Sequence, residues 1–374
     1  MDVSKVIGNN IKKLMEKEQL SLRKLSEEIG ISHPTLSKYV EGSQAIDSVK
    51  LMKIASVFNV PFEYFLKENH EEFKFIFRAD RPSKEISNED FKTLKNVIIN
   101  YANVVENSDF KYEPPRYSFN KFENDAKFFQ SIEKIALNQR KLANIENVVP
   151  ENYYEIIRKM GINVICRDLK NSKFFGASSF SMEGGSYIII NDAANISEER
   201  KLFSLIHELA HLIFHSEQYS NNDYKALYTS GKNDNYERIA NKFAGYFLMP
   251  REMVNEFINN ENGRDIFAIK KHFKVSIQTV FIVLYDYGFI RKTEYDKFWR
   301  DVNYLGYKEV EPYPLPALSL KEKNAKIYRI VKDLYLKEEI GANKISEVLG
   351  LDIIETRKIL KEWETMNERN FSIK

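Results

Sequence analysis

Arg200-Lys-Leu-Phe-Ser-Leu-Ile-His207-Glu208-Leu-Ala-His211-Leu-Ile-Phe-His215 is the stretch around which the rest of the chain is read. Set on a helix, Leu202, Leu205, Ile206, Leu209, Leu212 and Ile213 form an apolar stripe at three- and four-residue spacings. His207 and His211 stand four residues apart, so their imidazoles project from one face, one turn above the other. Two nitrogens so placed suit a single tetrahedral Zn²⁺, which they meet at about 2.0–2.1 Å. Glu208 cannot join the ion from the adjacent position, but it lies beside the open coordination position. A carboxylate there can take a proton from water that zinc acidifies towards a pKa of ~7.

Two ligands leave such a site incomplete. The extended spacing with a third histidine would need Gly at 214 and His at 217, where this chain has Phe214 and Glu217. His215 continues the ladder but rises two turns, about 11 Å, above His207. One ion cannot span that gap, so His215 is read as a structural or supporting histidine. The better candidate is Glu237, in Asn235-Tyr-Glu237-Arg-Ile-Ala-Asn241-Lys-Phe-Ala-Gly-Tyr-Phe-Leu-Met-Pro250. Here Ile239, Ala240, Phe243, Ala244, Phe247 and Leu248 give a second helical pattern, closed by Pro250. Glu237 opens that helix on or beside its buried face, where an unpaired carboxylate is costly and a metal would neutralise it. The alternative is a helix-N-terminal glutamate favoured by the macrodipole.

The run from Gly176 through Ile188-Ile-Ile-Asn191, the His-Glu-x-x-His helix, and Glu237-x-x-Ala-Asn-x-Phe-Ala-x-x-Phe-Leu-Met-Pro together resemble the ImmA/IrrE family of bacterial metallopeptidases. The resemblance spans roughly residues 150–255. It implies a gluzincin-like site with His207, His211 and Glu237 as zinc ligands, one Zn²⁺ per chain, and Glu208 as general base. It also implies a protein substrate of repressor type. Many members carry Gly where this chain has Ala210, a small residue that still lets the helix pack closely.

With 374 residues, two or three domains are expected. Net charge is +2 and 43% of residues are hydrophobic, the balance of a soluble globular chain. A single cysteine, Cys166, excludes a disulfide framework and suits a reducing cytoplasm. No long apolar run and no basic-then-apolar N-terminus argues for a membrane span or a signal peptide. A cytoplasmic protein is therefore expected.

Residues 1–68 read as five short helices. Ser21 caps the second, Leu22–Ile29, which Gly30 ends; Ser32 caps the third, Thr35 to Val40, with Pro34 in its first turn. A turn of about three residues at Gly30-Ile31-Ser32, between helices with Leu36 and Val40 inward, is the helix-turn-helix pattern. The domain is similar throughout to the lambda-repressor-like, XRE family. Carried over by position, the groove-reading face is His33, Pro34 and Lys38, with Thr35 near the backbone and Ser21 and Arg23 as phosphate contacts. Members often carry Gln where this chain has Leu22, so Arg23 is expected to take over that contact. Glu16, Glu18, Glu27, Glu28 and Glu41 offset the lysines, which makes binding a matter of a few directed contacts. A helical interaction module without DNA binding is the alternative.

Residues 69–124 read as a linker with a short strand at Phe73–Ala79, a helix over Phe91–Val105 and a breaker at Glu113-Pro-Pro115. Helices are expected over Asp125–Leu142 and Glu151–Met160, then strands at Ile162–Cys166, Phe180-Ser-Met and Tyr187–Ile190, the last two joined through Gly184-Gly185. A small sheet beside the metal helix offers an edge to which a substrate can add as a strand. Asn191-Asp192 either contacts substrate or caps the loop. Ser216–Asn235 reads as a flap over the cleft; Tyr224, Tyr228 and Tyr236 are oxyanion-donor types, with none assigned.

Ile266–Phe273 and Thr279–Tyr287 form another helix-turn-helix-shaped segment, within 256–311, that need not touch DNA. Residues 312–374 follow Pro312-Tyr-Pro-Leu-Pro316 as a helical cap or dimerisation module, whose interleaved charges argue against a second nucleic-acid reader. The expectation is an α+β, mostly helical multidomain chain: an all-α helix-turn-helix domain at 1–68, a linker, and a zincin-like peptidase domain with a small sheet at 125–255. The two helical segments then complete it. Functionally, a DNA-binding regulator fused to a zinc endopeptidase is expected, acting as a homodimer on operator DNA and on a repressor protein in trans or itself. The rival is a repressor or antitoxin whose peptidase-like domain is a sensor or binding platform.

Overall fold

The computed structural model describes residues 3–58, 60–66, 74–79, 88–105, 117, 125–169, 174–181, 185–214, 233–260, 265–307 and 310–372. They fall into two compact units, Met1–Glu72 and Phe73–Lys374. Among the described residues no helix is long and apolar enough to cross a membrane.

The first unit consists of α1 (Val3–Lys17), α2 (Leu22–Ile29), α3 (His33–Val40), α4 (Ser48–Phe58) and a 3-10 turn at Phe62–Leu66. Ser21 accepts the Lys24 N–H and Ser32 the Thr35 N–H, each satisfying a donor orphaned at a helix start. Gly30 ends α2 at φ 72°, the left-handed region that glycine enters without a Cβ penalty. At Gly8 a Cβ would lie 2.5 Å from the Val40 carbonyl oxygen, so glycine is what lets α1 meet the end of α3. The core gathers Ile11, Leu25, Ile29, Leu36, Ile54 and Phe65. In α3 the residue buried beside Leu36 is Tyr39; Val40 is only half-buried.

The second unit is built on a mixed sheet of β1 (Lys74–Ala79), β2 (Asn163–Arg167), β3 (Phe174–Ser181) and β4 (Gly185–Asn191), in the order β1-β3-β4-β2. β3 runs antiparallel to both its neighbours, and β4 pairs parallel with β2. Because side chains alternate along a strand, Ile188 and Ile190 enter one core with Val164 and Cys166, while Tyr187 and Ile189 enter another with Ile165 and Ala177. A strand covered on both faces reads as a continuous apolar run, as Tyr187–Ile190 does.

The first face is covered by α6 (Ala126–Leu142), α7 (Tyr153–Lys159), α8 (Glu198–Phe214) and α9 (Asn233–Leu248), with α10 (Arg251–Asn259), α11 (Ile266–Phe273) and α12 (Ile277–Asp286) completing that core. Next in chain order come α13 (Lys292–Leu305) and α14 (Leu320–Lys323). The second face is covered by α5 (Asn88–Ala102) together with α15 (Ala325–Leu336), α16 (Ala342–Leu349) and α17 (Ile353–Ser372). Leu94, Ile98 and Tyr101 of α5 meet Val331, Ile345, Leu360 and Trp363 there. The chain is thus a mostly helical, multidomain α+β protein with a small mixed sheet flanked by helices.

Three placements go beyond the sequence-based expectation. The segment read as a linker supplies β1 and α5 to the second unit; Glu113-Pro-Pro115 lies outside the described residues. The C-terminal helices cover the back of the sheet. β3 begins at Phe174, six residues before the expected strand, because Gly176-Ala-Ser-Ser179 has poor strand propensity and is held extended by partners on both sides.

Candidate metal centre and DNA-facing helices

α8 starts where the Ser197 hydroxyl accepts the Arg200 N–H. From Leu205 to Ile213 the helix is buried all round, with His207, Glu208 and His211 no more than 1% exposed. These side chains therefore meet the protein interior, where a charge needs a partner.

His207 Nε2 lies 3.0 Å from His211 Nε2. Glu237, in the second turn of α9, brings Oε2 to 3.2 Å from His207 Nε2 and Oε1 to 3.4 Å from His211 Nε2. Donors on a tetrahedron with bonds of 2.0–2.1 Å are separated by edges of about 3.3 Å. The three separations fit one ion, and two imidazoles with a carboxylate are a donor set that zinc accepts. Burial acts to raise the Glu237 carboxyl, but the two imidazoles against it outweigh burial and hold it well below the usual carboxylate range.

Glu208 is aimed from the same helix towards β3. Its Oε2 accepts a hydrogen bond from Ser178 Oγ at 2.7 Å. Ligand atoms of His207, Glu208 and His211 all fall within 4.8 Å of one another. Two residues before Ser178, on the same strand face, Gly176 passes close over the carboxylate: a Cβ would stand 3.1 Å from Glu208 Cγ and 3.3 Å from the Ile189 carbonyl oxygen. Ser178 was not legible in the sequence; its only signal is the two-residue step from Gly176 along a strand that the sequence barely announces.

Other candidates find structural employment. Asn191 Oδ1 accepts the N–H groups of Leu169 and Ala193 at 3.1 and 3.2 Å, which makes it a loop cap. Asp192 pairs with Lys201 and Lys323 at 2.8 and 2.6 Å. Burial pushes the Cys166 thiol up to about 12, so it stays protonated and unreactive at neutral pH. Tyr236 is half-buried; His215, Tyr224, Tyr228 and most of the expected flap lie outside the described residues.

In the first unit Ser21, Arg23, His33, Pro34 and Lys38 are exposed on α2 and α3, and Thr35 is half-buried. Arg23 pairs with Glu27 at 3.3 Å, but both are largely exposed, so the pair is weak and the guanidinium can exchange it for a phosphate. Thr35 Oγ1 shares a 2.7 Å hydrogen bond with Ser32 Oγ. The second helix-turn-helix-shaped segment, α11–α12, is different. The Ile277 N–H donates to Glu311, Gln278 Nε2 donates to the Tyr307 carbonyl, and Phe281 stacks on Phe298 of α13 at 3.6 Å. The face that a recognition helix would present is turned inward.

A helix-turn-helix unit followed by a buried His-Glu-x-x-His helix beside a mixed sheet defines a DNA-binding module joined to a unit with a metal-binding cluster, consistent with a metallopeptidase fold. Comparison with known proteins agrees. Residues 157–284 match the IrrE N-terminal-like domain, and residues 11–65 match a helix-turn-helix domain. A protein of Bacillus phage phi105 named "uncharacterized immunity region protein 2" is 30% identical over 125 residues, 33% of this chain and 75% of that protein. The chain belongs to the IrrE/ImmA-like family, as a member with an N-terminal XRE-type helix-turn-helix domain. Among solved structures, the apo form of the competence regulator ComR from Streptococcus vestibularis is 12% identical, covers 89% of this chain and 98% of its own, and has a TM-score of 0.17. Apo ComR from S. thermophilus gives 13% identity, coverage of 87% and 98%, and a TM-score of 0.17. Scores that low carry no argument about fold.

Proposed function

We propose that this chain is a DNA-binding transcriptional regulator whose second unit is a zinc-dependent endopeptidase acting on a repressor-type protein, in trans or on the chain itself. The supporting observation is the convergence of His207, His211 and Glu237 at 3.0–3.4 Å beside Glu208. These three residues would hold one Zn²⁺ per chain. Zinc there supplies Lewis-acid polarisation of a peptide carbonyl and acidifies water. Glu208 accepts the proton of the attacking water and returns it to the leaving amine nitrogen. Ser178, bonded to Glu208 Oε2, orients the carboxylate, and the buried surroundings strengthen every charge interaction in the site.

On the DNA side, Arg23 and the N-terminus of α2 at Ser21 contact phosphates of double-stranded operator DNA, and Thr35 approaches the backbone. His33, Pro34 and Lys38 meet base edges. A homodimer on two half-sites about 34–36 Å apart is the arrangement this class of reader uses.

The test is metal content by mass spectrometry on the purified chain, beside His207→Ala, Glu237→Ala and Glu208→Gln. About one zinc per chain is expected, lost in the first two variants and kept in the third, which should hydrolyse substrate roughly 10²–10⁴-fold more slowly. A metal-free chain that keeps its fold and still binds DNA would sink the peptidase reading and favour a sensor or binding platform.

A further inference from the structure

β3 forms the strand side of the candidate centre, because Ser178 bonds Glu208 and Gly176 passes over its Cγ. One edge of β3 pairs with β4. The other edge is where an extended peptide would add, since a bare strand edge is a row of N–H and C=O groups seeking partners. In this chain it is already taken. Lys74 lies opposite Phe180, Phe75 opposite Ser179, Ile76 opposite Ser178 and Phe77 opposite Ala177. The register then shifts, and Ala79 lies opposite Phe174. β1 therefore runs antiparallel alongside the two residues that touch Glu208, with its irregularity next to Gly176.

At the opposite edge, among the described residues, a side chain takes the place of a strand. There the Asn324 side chain accepts the Cys166 N–H at 2.9 Å and donates to the Cys166 carbonyl at 2.7 Å, standing in for one residue of a strand. On the side of the candidate centre a whole six-residue strand is used. Among the described residues β1 is the terminal strand in the sheet order, paired along one side. Elements with few such ties open at the low end of a protein's local stabilities.

We propose that Lys74–Ala79 is the resident occupant of a strand-acceptor site, and that a protein substrate enters by displacing β1 from the outer edge of β3. The chemistry of the resident describes the class of incoming chain: an extended segment of aromatic and aliphatic residues flanked by basic ones, as in Lys74-Phe-Ile-Phe-Arg78. Strand exchange would also couple the site to the first unit, because β1 follows that unit directly in sequence. What happens to a bound strand rests on the peptidase reading; acceptance of the strand does not.

The experiment uses the full-length chain with Ile76→Pro or Phe77→Pro. Successive N–H groups of a strand point to opposite sides, so one substitution removes a donor to β3 and the other a donor on the outer side, which an edge strand tolerates. Two signals are read: hydrogen exchange of the β3 amides facing β1, and fluorescence polarisation with a labelled peptide of sequence Glu72-Phe-Lys-Phe-Ile-Phe-Arg-Ala-Asp-Arg81. One variant is expected to exchange those amides at least about 10-fold faster and to bind the peptide, while the other variant and the unaltered chain keep them protected and bind it at least about 10-fold more weakly, because β1 must first be displaced. If both variants stay protected and bind no peptide, the proposal is wrong. It is equally wrong if the unaltered chain binds the peptide as tightly as the variants. A quenched version of the peptide, added with zinc, is scored separately: binding without hydrolysis keeps the acceptor site and rejects the peptidase.

Discussion

Gly176 and Ser178 set the position of Glu208 from across the sheet, and neither is replaceable by a small change. In Gly176→Ala the new Cβ would stand 3.1 Å from Glu208 Cγ, with the Ile189 backbone oxygen 3.3 Å away and unable to retreat without disturbing β4. The expected outcome is zinc content like that of the unaltered chain, hydrolysis sharply reduced, and stability lower by about 1–3 kcal/mol in urea unfolding. Ser178→Ala removes a buried hydrogen bond to a carboxylate, a contact of the kind worth about 1.5–3 kcal/mol. Its unfolding midpoint should fall with zinc again retained. The two histidines were legible from their spacing, because four residues on a helix is a local relation. Ser178 was not: it lies 30 residues from Glu208, and only sheet formation brings it there.

At the scale of elements, α2 and α3 behave as their sequence says. Capping serines, Gly30 and the Leu25–Leu36 contact region are all set by residues close in the chain. Ser21→Ala should cost about 0.5–2 kcal/mol through the lost cap. Arg23→Ala and Lys38→Ala should weaken operator binding, and each phosphate contact removed should flatten the plot of log affinity against log salt by about 0.9. A variant that leaves both affinity and slope unchanged would show that its residue does not touch the DNA. β3 and α12 teach the opposite lesson. β3 is extended against its own propensity because β1 and β4 pair with it, and α12 has the shape of a recognition helix yet hides that face against α13, Tyr307 and Glu311. Shape was legible in the α11–α12 sequence; accessibility was not.

For the second unit as a whole, the sheet joins two cores, and the C-terminal helices are needed to close the second. Trp363→Ala, on α17, should destabilise the unit by about 3–5 kcal/mol, although the residue is remote in sequence from the metal-binding helix. Alkali should act through the same interior. Burial raises the Cys166 thiol and the Tyr101 phenol from 9.0 and 10.0 to about 12 each. Both stay protonated in the folded chain while the unfolded chain ionises first. The stability they contribute is therefore intact below about pH 9 and is lost as the pH climbs through about 12. Urea midpoints measured across that window should fall, and a Cys166→Ala chain should lose less of its midpoint over the same climb.

The sequence by itself determined whatever depends on neighbours a few residues away. It carried the helix-turn-helix with its caps, the paired histidines, and the apolar faces of α8 and α9. It also marked Glu237 as a carboxylate opening a buried helix face. Only the tertiary structure decided how those pieces meet. It brought the Glu237 carboxylate to within 3.4 Å of both imidazoles, set Ser178 against Glu208, turned Asn191 to the loop and Asp192 to Lys201 and Lys323, and laid Lys74–Ala79 along the edge of β3. The reason is physical. Helical spacing and capping are satisfied within a turn or two of chain. Strand pairing and the neutralisation of buried charge are satisfied by whichever distant partner the packed core delivers.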